Sequence, residues 1–468
     1  MSHRPLNKTR VEDVIGLTPM QEGMLYHYLR DKDTGAYFEQ YSYTLRGQLD
    51  LSVCCEAWKW TVQQHEVLRS VFRWEKIQNP VQIILKGRVL SFAFHDLTEM
   101  AEMEQEVVLQ ELREADRAVG FDLSEGPLLR ITVFRLTHDR HIMMVSNHHI
   151  VMDGWSNGIV LGEFIHAYHT LRAGREPEQI SKPRFREYVK WLGKQDKSGS
   201  KAFWQAYLAG YEAQPLYLLN TTSAPKISDT ACELYILPPD LVSELEAVAK
   251  EESVTIGTLF TAAWGVLLQR VSGRQDVLFG TTVSGRSSSL PGIERMVGLL
   301  MNTVPMRLQS GNSDTLQQAL LDVQQASIAR QPYETTPLVD IQSYGNFRST
   351  EPLFDTLLVI ENYPLEINRQ SELTLESFAG HSVTDYSLLV SIHQMEQTAI
   401  QMLYQPSTYE TSIIELLCER YVALLRLMVT ERDCAIQDIH SLTEMEKGLQ
   451  EVWAIEFDYS PDTLKRGV

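Results

Sequence analysis

The sequence predicts a two-lobed protein of the α/β (α+β) class, and three observations carry that expectation. The chain has 468 residues, too many for one ordinary core at about 100–200 residues per domain. Both halves mix short alternating strands with amphipathic helices. Between them, Ala173 to Arg184 is rich in charge, glycine and proline and has no apolar period, as expected of a junction. The lobes are therefore assigned to 17–178 and 179–440. Residues 1–16 are read as a short docking segment and 441–468 as a linker.

Composition narrows the class. At 44% hydrophobic and 22% charged residues, the chain is an ordinary globular one. No apolar run reaches the roughly 18 residues of a membrane span. The opening Met1-Ser2-His3-Arg4-Pro5-Leu6-Asn7-Lys8 lacks the apolar core of a secretory signal. A formal net charge of -19 repels phosphate backbones and argues against a nucleic-acid partner. The cysteines, Cys54, Cys55, Cys232, Cys418 and Cys434, are few and odd in number, and show no metal-type spacing. A reduced, cytoplasmic protein is the expectation.

Local signals place the elements in order. Thr18-Pro19-Met20-Gln21 reads as a capping box, with Met20, Met24, Leu25, Tyr28 and Leu29 on one face of the helix that follows. A strand is expected over Ser42–Leu49 and a helix over Leu51–Gln64. Strands are then expected from Val67, over Val81–Leu85 and over Leu90–Phe94. Met100–Val119 reads as an acidic amphipathic helix. Leu128–Leu136 and Arg140–His148 alternate as two strands joined by the polar turn Thr137-His138-Asp139. A helical period resumes after Gly154. In the second half, helices are expected from Phe185, over Asp240–Lys250, Ile256–Val271, Asp314–Arg330 (capped by Ser313 or Asp314) and Ser412–Val429. Strands are expected over Val277–Val283, Phe354–Ile360 and Ser387–His393, the last pairing with Ile400–Tyr404.

The chemistry concentrates in Asn147-His148-His149-Ile150-Val151-Met152-Asp153-Gly154-Trp155-Ser156, at a strand-to-loop-to-helix junction. Adjacent strand residues point to opposite faces. One histidine therefore faces a cavity and the other packs inward, which disfavours a two-histidine metal site. Asp153 either orients His149, as in a triad, or braces the loop. No Gly-x-Ser-x-Gly elbow surrounds Ser156, so a nucleophilic serine is weakly supported. Direct acyl transfer remains, with a histidine assisting the incoming nucleophile. The backbone N–H of Gly154 is then a possible oxyanion donor.

His148-His149-x-x-x-Asp153-Gly154 resembles the HHxxxDG motif of condensation domains of nonribosomal peptide synthetases, in the chloramphenicol-acetyltransferase-like superfamily. Further blocks follow in the family's order. They are Thr18 to Leu25, His65-Glu66-x-Leu68-Arg69-x-x-Phe72, Tyr188-Val189-Lys190-Trp191, Val297-Gly298-x-x-x-Asn302-Thr303-Val304, Gln331 to Glu334, and Glu361-Asn362-Tyr363-Pro364. Gln64 departs from the arginine usual in the family.

The resemblance implies two chloramphenicol-acetyltransferase-like lobes forming a V-shaped pseudo-dimer, with the site in a tunnel at their junction. It implies an upstream donor and a downstream acceptor peptidyl carrier protein, each presenting its substrate on 4'-phosphopantetheine, and no cofactor bound by the domain itself. His149 is then the tunnel-facing catalytic histidine, and His148 packs inside the lobe. Asp153 becomes structural, with Arg286 in Val283-Ser284-Gly285-Arg286 as its partner from the other lobe. Trp155, Ser156, Asn302 and Asn362 are candidates for the tunnel wall. The tail from Leu442 resembles a linker to an adenylation domain. The N-terminal segment and Met152-Asp153-Gly154-Trp155 together resemble domains that take a donor ending in a D-residue. The alternatives are an epimerisation domain, another carrier- or CoA-dependent acyltransferase, and an inactive scaffold that docks carriers.

Overall fold

The computed structural model describes residues 7–30, 35–179, 181–212, 230–286, 289–311, 313–347, 352–361, 373–383, 386–394 and 397–439. The expected segment at 441–468, most of the Glu361-Asn362-Tyr363-Pro364 block and residues 1–6 lie outside them.

The first lobe begins with β1 (Val11–Gly16), α1 (Pro19–Arg30), β2 (Phe38–Arg46), α2 (Leu51–Gln64), β3 (Ser70–Arg73), β4 (Val81–Leu85) and β5 (Ser91–Asp96). It continues through α3 (Glu102–Val119), β6 (Leu129–Arg135), β7 (Arg140–His148) and α4 (Gly154–Arg172). The junction leads to α5 (Phe185–Leu192) and α6 (Lys197–Tyr207). The second half holds β8 (Ala231–Ile236), α7 (Pro239–Glu251), α8 (Ile256–Ser272), β9 (Asp276–Val283), β10 (Asn302–Gln309), α9 (Leu316–Arg330) and α10 (Leu338–Tyr344). After them come β11 (Thr356–Glu361), β12 (Thr374–Ser382), β13 (Leu388–Gln394), β14 (Thr398–Tyr404) and α11 (Thr411–Thr430).

One sheet has the order β12-β2-β7-β6-β5. Residues of β7 beyond Arg140 are buried throughout, as befits a strand covered on both faces. Met143 and Val145 pack with α2 and α4, where Trp58 stacks on Phe164 at 4.6 Å between ring centroids. Ile142 and Met144 pack instead with Leu109 of α3. Burying side chains of this size contributes about 1.5–3 kcal/mol each. The second large sheet runs β10-β9-β11-β13-β14-β8, with α7, α8, α9 and α11 supplying the core on one face. Trp204 of α6, Ile341 of α10 and Phe354 pack with Leu278 and Val304.

Several expectations change. Val11–Gly16, read as part of a docking segment, is a strand paired antiparallel with β4. The stretch from Val67 begins as a 3-10 turn over Glu66–Arg69, so strand geometry starts only at Ser70. The cause is tertiary anchoring: Glu66 Oε1 accepts the N–H of Phe185 at 2.9 Å, and Arg69 donates to the Leu85 carbonyl at 2.7 Å. Thr315, not Ser313 or Asp314, caps α9, because Asp314 is engaged with the N–H of Gly311. Leu29, assigned to the buried face of α1, is 41% exposed, whereas Gln21 is fully buried.

The division at 178/179 is not a clean cut. α5 packs into the first lobe through Phe185 and Tyr188. β12, from late in the second half, completes the first lobe's sheet as the antiparallel neighbour of β2. The loop after β9 also enters that core through Ile293, Met296, Val297, Leu299 and Leu300. No single helix among the described residues is long and apolar enough to cross a membrane.

Candidate active site

The site forms where β7 ends. Strand pairing sets Phe38 opposite His148 and Glu39 opposite Asn147. Alternation then separates the histidines. His148 is 3% exposed, with its ring edge-on to Tyr28 and tilted against Tyr37. Its Nδ1 accepts the N–H of Ile150 at 3.1 Å. Burial, reinforced by the neighbouring His149, pushes its pKa down to about 3.

His148 therefore folds neutral. Between its ordinary value and about pH 3 the unfolded chain binds the proton that the folded chain refuses, so this group removes stability as pH falls through that window. His148→Gln keeps an acceptor for Ile150 and removes the titration. The dependence of Tm on pH between 6 and 4 is expected to be shallower in that variant, and an unchanged slope counts against the assignment.

His149 lies just past the strand, where a 3-10 turn over His149–Val151 begins. Its backbone N–H donates to the Tyr37 carbonyl at 2.8 Å. Nδ1 sits 2.8 Å from the Met152 carbonyl, which can only accept, so Nδ1 carries the hydrogen. Nε2 is then the basic nitrogen of the neutral ring. It makes no hydrogen bond among the described residues and lies 3.7 Å from Glu39 Oε1, within ion-pair range. Burial acts to lower the His149 pKa, but the Glu39 carboxylate, the Met152 carbonyl and Asp153 outweigh it and raise the pKa. Burial likewise raises Glu39, opposed by His149 and by hydrogen bonds from Asn147 and Tyr41.

Asp153 does not orient His149. It caps α4, accepting the Ser156 N–H at 2.8 Å. Arg286 reaches it from the loop after β9, with Nη1 to Oδ2 at 2.8 Å and Nη2 to Oδ1 at 3.1 Å. Oδ2 also accepts the N–H groups of Leu300 and Met301 at 3.0 and 3.2 Å. Burial raises the Asp153 pKa, but Arg286 and these donors overcome it and hold the carboxyl below its ordinary value.

Other residues read as tunnel wall hold neighbouring loops through hydrogen bonds. Ser156 is fully buried; its hydroxyl donates to Gly298 O at 2.9 Å and accepts from Gly298 N and Arg286 Nη2 at 3.0 Å each. Trp155 donates Nε1–H to the Glu294 carbonyl at 3.1 Å, with the Arg286 guanidinium 5.6 Å from its ring centroid. Asn302 donates Nδ2 to the carbonyls of Glu334 and Thr336 at 2.8 and 2.7 Å. It also borders a small cavity with Thr18, Tyr188 and Gly285. Asn362 lies outside the described residues. Gly154 is the first residue of α4, so its N–H has no acceptor within the helix.

The other blocks hold the loop or the elements around it. Thr18 and Gln21 form the reciprocal capping box at 3.0 and 3.3 Å. The Gln21 amide then donates to the Ile150 carbonyl at 3.0 Å and to Gln82 Oε1 at 3.2 Å. Tyr188 donates to the Leu300 carbonyl at 3.2 Å. His65 Nε2 lies 2.9 Å from Glu163, which also holds Lys182 of the junction. Gly285 has φ +67°, and a Cβ there falls 1.9 Å from the Leu300 carbonyl oxygen. Gly285→Ala is expected to cost about 1–3 kcal/mol of overlap in addition to about 1–2 kcal/mol of left-handed backbone. Calorimetry reads this as a lower Tm, and an unshifted transition refutes it.

A condensation-domain family model matches residues 11–450. The chain belongs to the condensation-domain family. Tyrocidine synthase 2 of Brevibacillus parabrevis is 32% identical over 451 residues, covering 94% of this chain and 12% of that protein. Bacitracin synthase 3 of Bacillus licheniformis is 31% identical over 467 residues, covering 97% of this chain and 7% of that protein. The condensation domain thus spans a small part of the curated relatives it matches. Among solved structures, the first condensation domain of the calcium-dependent antibiotic synthetase, in complex with substrate analogue 3a, aligns with a TM-score of 0.77 at 19% identity. That alignment covers 92% of this chain and 99% of that one. A four-domain nonribosomal peptide synthetase bound to AMP and glycine aligns at 0.78 and 18% identity, over 94% of this chain and 34% of that one. The two-lobed, chloramphenicol-acetyltransferase-like fold is shared with them, and condensation domains are amide-bond-forming acyltransferases.

Glu39 is the site residue that sequence reasoning missed. Its signal was an acidic side chain among the aromatic residues of β2, Phe38, Tyr41 and Tyr43.

Proposed function

We propose that this condensation domain forms a peptide bond between two carrier-bound substrates at His149. The observation that carries the reading is the state of His149: Nδ1–H is committed to Met152, and Nε2 is basic and without a hydrogen bond among the described residues. The acceptor's amine, with a reference pKa of about 8, attacks the donor thioester carbonyl, and its proton passes to Nε2. The N–H of Gly154 at the start of α4 stabilises the developing oxyanion. As the C–N bond is completed the C–S bond breaks, and the leaving pantetheine thiolate takes the proton from Nε2, which restores the neutral imidazole. No covalent enzyme intermediate enters.

The substrates are an aminoacyl or peptidyl thioester on an upstream carrier and an aminoacyl thioester on a downstream carrier. Both carriers and a neighbouring adenylation domain are proposed partners, in keeping with the small share of its relatives that the chain spans. The finer assignment, a D-residue donor and an L-residue acceptor, is supported by the Met152-Asp153-Gly154-Trp155 stretch.

Reconstitution with separately loaded donor and acceptor carriers tests the reading. A new amide product supports condensation. An inverted Cα on one carrier-bound residue indicates epimerisation, and carrier binding without product indicates a scaffold. Donors loaded with D- and L-residues, compared side by side, test the stereochemical assignment.

A further inference from the structure

Glu39 is a buried carboxylate with a narrow set of partners. It is 5% exposed and lies on a strand flanked on both sides, opposite Asn147 on β7 and Ser382 on β12. Asn147 lies directly across from Glu39, and His149, in the turn just past the strand, brings its Nε2 to the same carboxylate. Tyr41, two residues along β2 on the same face, donates its hydroxyl to Oε1 at 3.2 Å, and Asn147 donates Nδ2 to Oε2 at 3.1 Å. These bonds aim the carboxylate at Nε2 of His149, 3.7 Å from Oε1.

The two donors reach separate oxygens, which a carboxylate supplies and a glutamine, with one oxygen and a donating amide, does not. A carboxylate at this depth is stabilised in its ionised form by its hydrogen-bond donors, Asn147 and Tyr41, and further by a counter-charge when one forms beside it. Its ion-pair partner among the described residues is His149. At 3.7 Å the pair is electrostatic rather than hydrogen-bonded, so the Nε2 lone pair stays available to an amine.

We propose that Glu39 is a positioning residue for His149, fixing the imidazole through a shaped electrostatic contact and stabilising the imidazolium formed when the acceptor's proton arrives. The inference rests on the condensation reading above. Balance requires only that the proton moves from amine to Nε2; Glu39 neither gives nor takes it. The other charged groups around the pair act as follows. His148 faces away and folds neutral. Asp153 is committed to Arg286. Tyr43, further along β2, donates no charge to the pair, since burial raises its pKa. From the second lobe, Glu361 at the end of β11 opposes ionisation of Glu39. Glu361 is itself held by His393 at 2.8 Å and by the Ser391 hydroxyl at 2.9 Å.

The test is Glu39→Gln in the whole chain, with two readouts. The first is the titration midpoint of His149 by NMR of labelled histidine, assigned by comparison with His149→Ala. The second is the pH dependence of kcat/KM with loaded carriers. The midpoint and the acid limb of the rate profile are both expected to fall by about one pH unit. A folded variant with an unmoved midpoint overturns the proposal. Should Glu39→Gln not fold, Glu39→Asp retracts the charge by one methylene and Tyr41→Phe frees it; each is expected to lower the midpoint, and no shift in either overturns the proposal. The NMR readout needs no turnover, so it separates failure of this pairing from failure of the condensation reading, which instead shows as undiminished product from His149→Ala.

Discussion

His149→Ala is expected to lose about 10²–10⁴-fold in amide formation from loaded carriers, the range that one positioned general base typically contributes. The fold should survive. The His149 side chain is 18% exposed, and its Nδ1 bonds only to the nearby Met152 carbonyl. The backbone of the loop is held by other contacts, from Tyr37 through the His149 N–H and from Gln21 to the Ile150 carbonyl. Cooperative melting close to that of the parent, together with lost product, is the expected pair of results. Turnover near the parent's rate removes His149 from the reaction.

The second large effect is on stability. Asp153→Ala leaves the Arg286 guanidinium buried without its carboxylate. It also strips the acceptor from the N–H groups of Ser156, Leu300 and Met301. Breaking a buried pair of this kind costs about 3–5 kcal/mol. At roughly 2–4 °C per kcal/mol for lobes of this size, that is a fall in Tm of roughly 6–20 °C. Arg286→Ala is expected to be the milder change, since Asp153 then keeps its three backbone donors. Because the folded Asp153 carboxyl is held low, the pair's contribution is complete above the ordinary carboxylate range and is lost as pH falls through the folded value. The gap between parent and Asp153→Ala should therefore narrow on acidification. Unchanged melting in both variants would mean that the pair does not join the lobes energetically.

The parts legible in the sequence are those governed by local rules. Alternation along Arg140–His148 separated the two histidines, although the strand stops at His148 and His149 starts a turn. The side-chain bond from Thr18 to Gln21 follows from capping chemistry. The partnership of Asp153 and Arg286, 133 residues apart, was reachable through the family resemblance alone. What escaped was set by distant context. β10 contains Pro305 and sits at the end of its sheet, where a missing N–H is tolerated but the strand pattern is blurred. β8 and β12 also end their sheets, and β8 buries none of its six residues, so packing imposes little apolar pattern on it. α6 was hidden by Ser198, Gly199 and Ser200 near its start, though Asp196 caps it. Ser156 looked like a wall residue because nothing local reveals that Gly298, 142 residues away, holds its hydroxyl.

β12 has a consequence for the order in which the molecule is made. It pairs with β2, and contacts such as Ser377 to Thr44 span 333 residues of chain. As the polypeptide leaves the ribosome, the strand that carries Glu39 presents an open edge until most of the second half has followed it. Non-local closure of that kind is slow, and an open edge invites pairing with other chains. The edge of the sheet beside Glu39 is therefore among the last to be paired during synthesis, and a nascent chain interrupted before residue 374 leaves β2 without its outer neighbour.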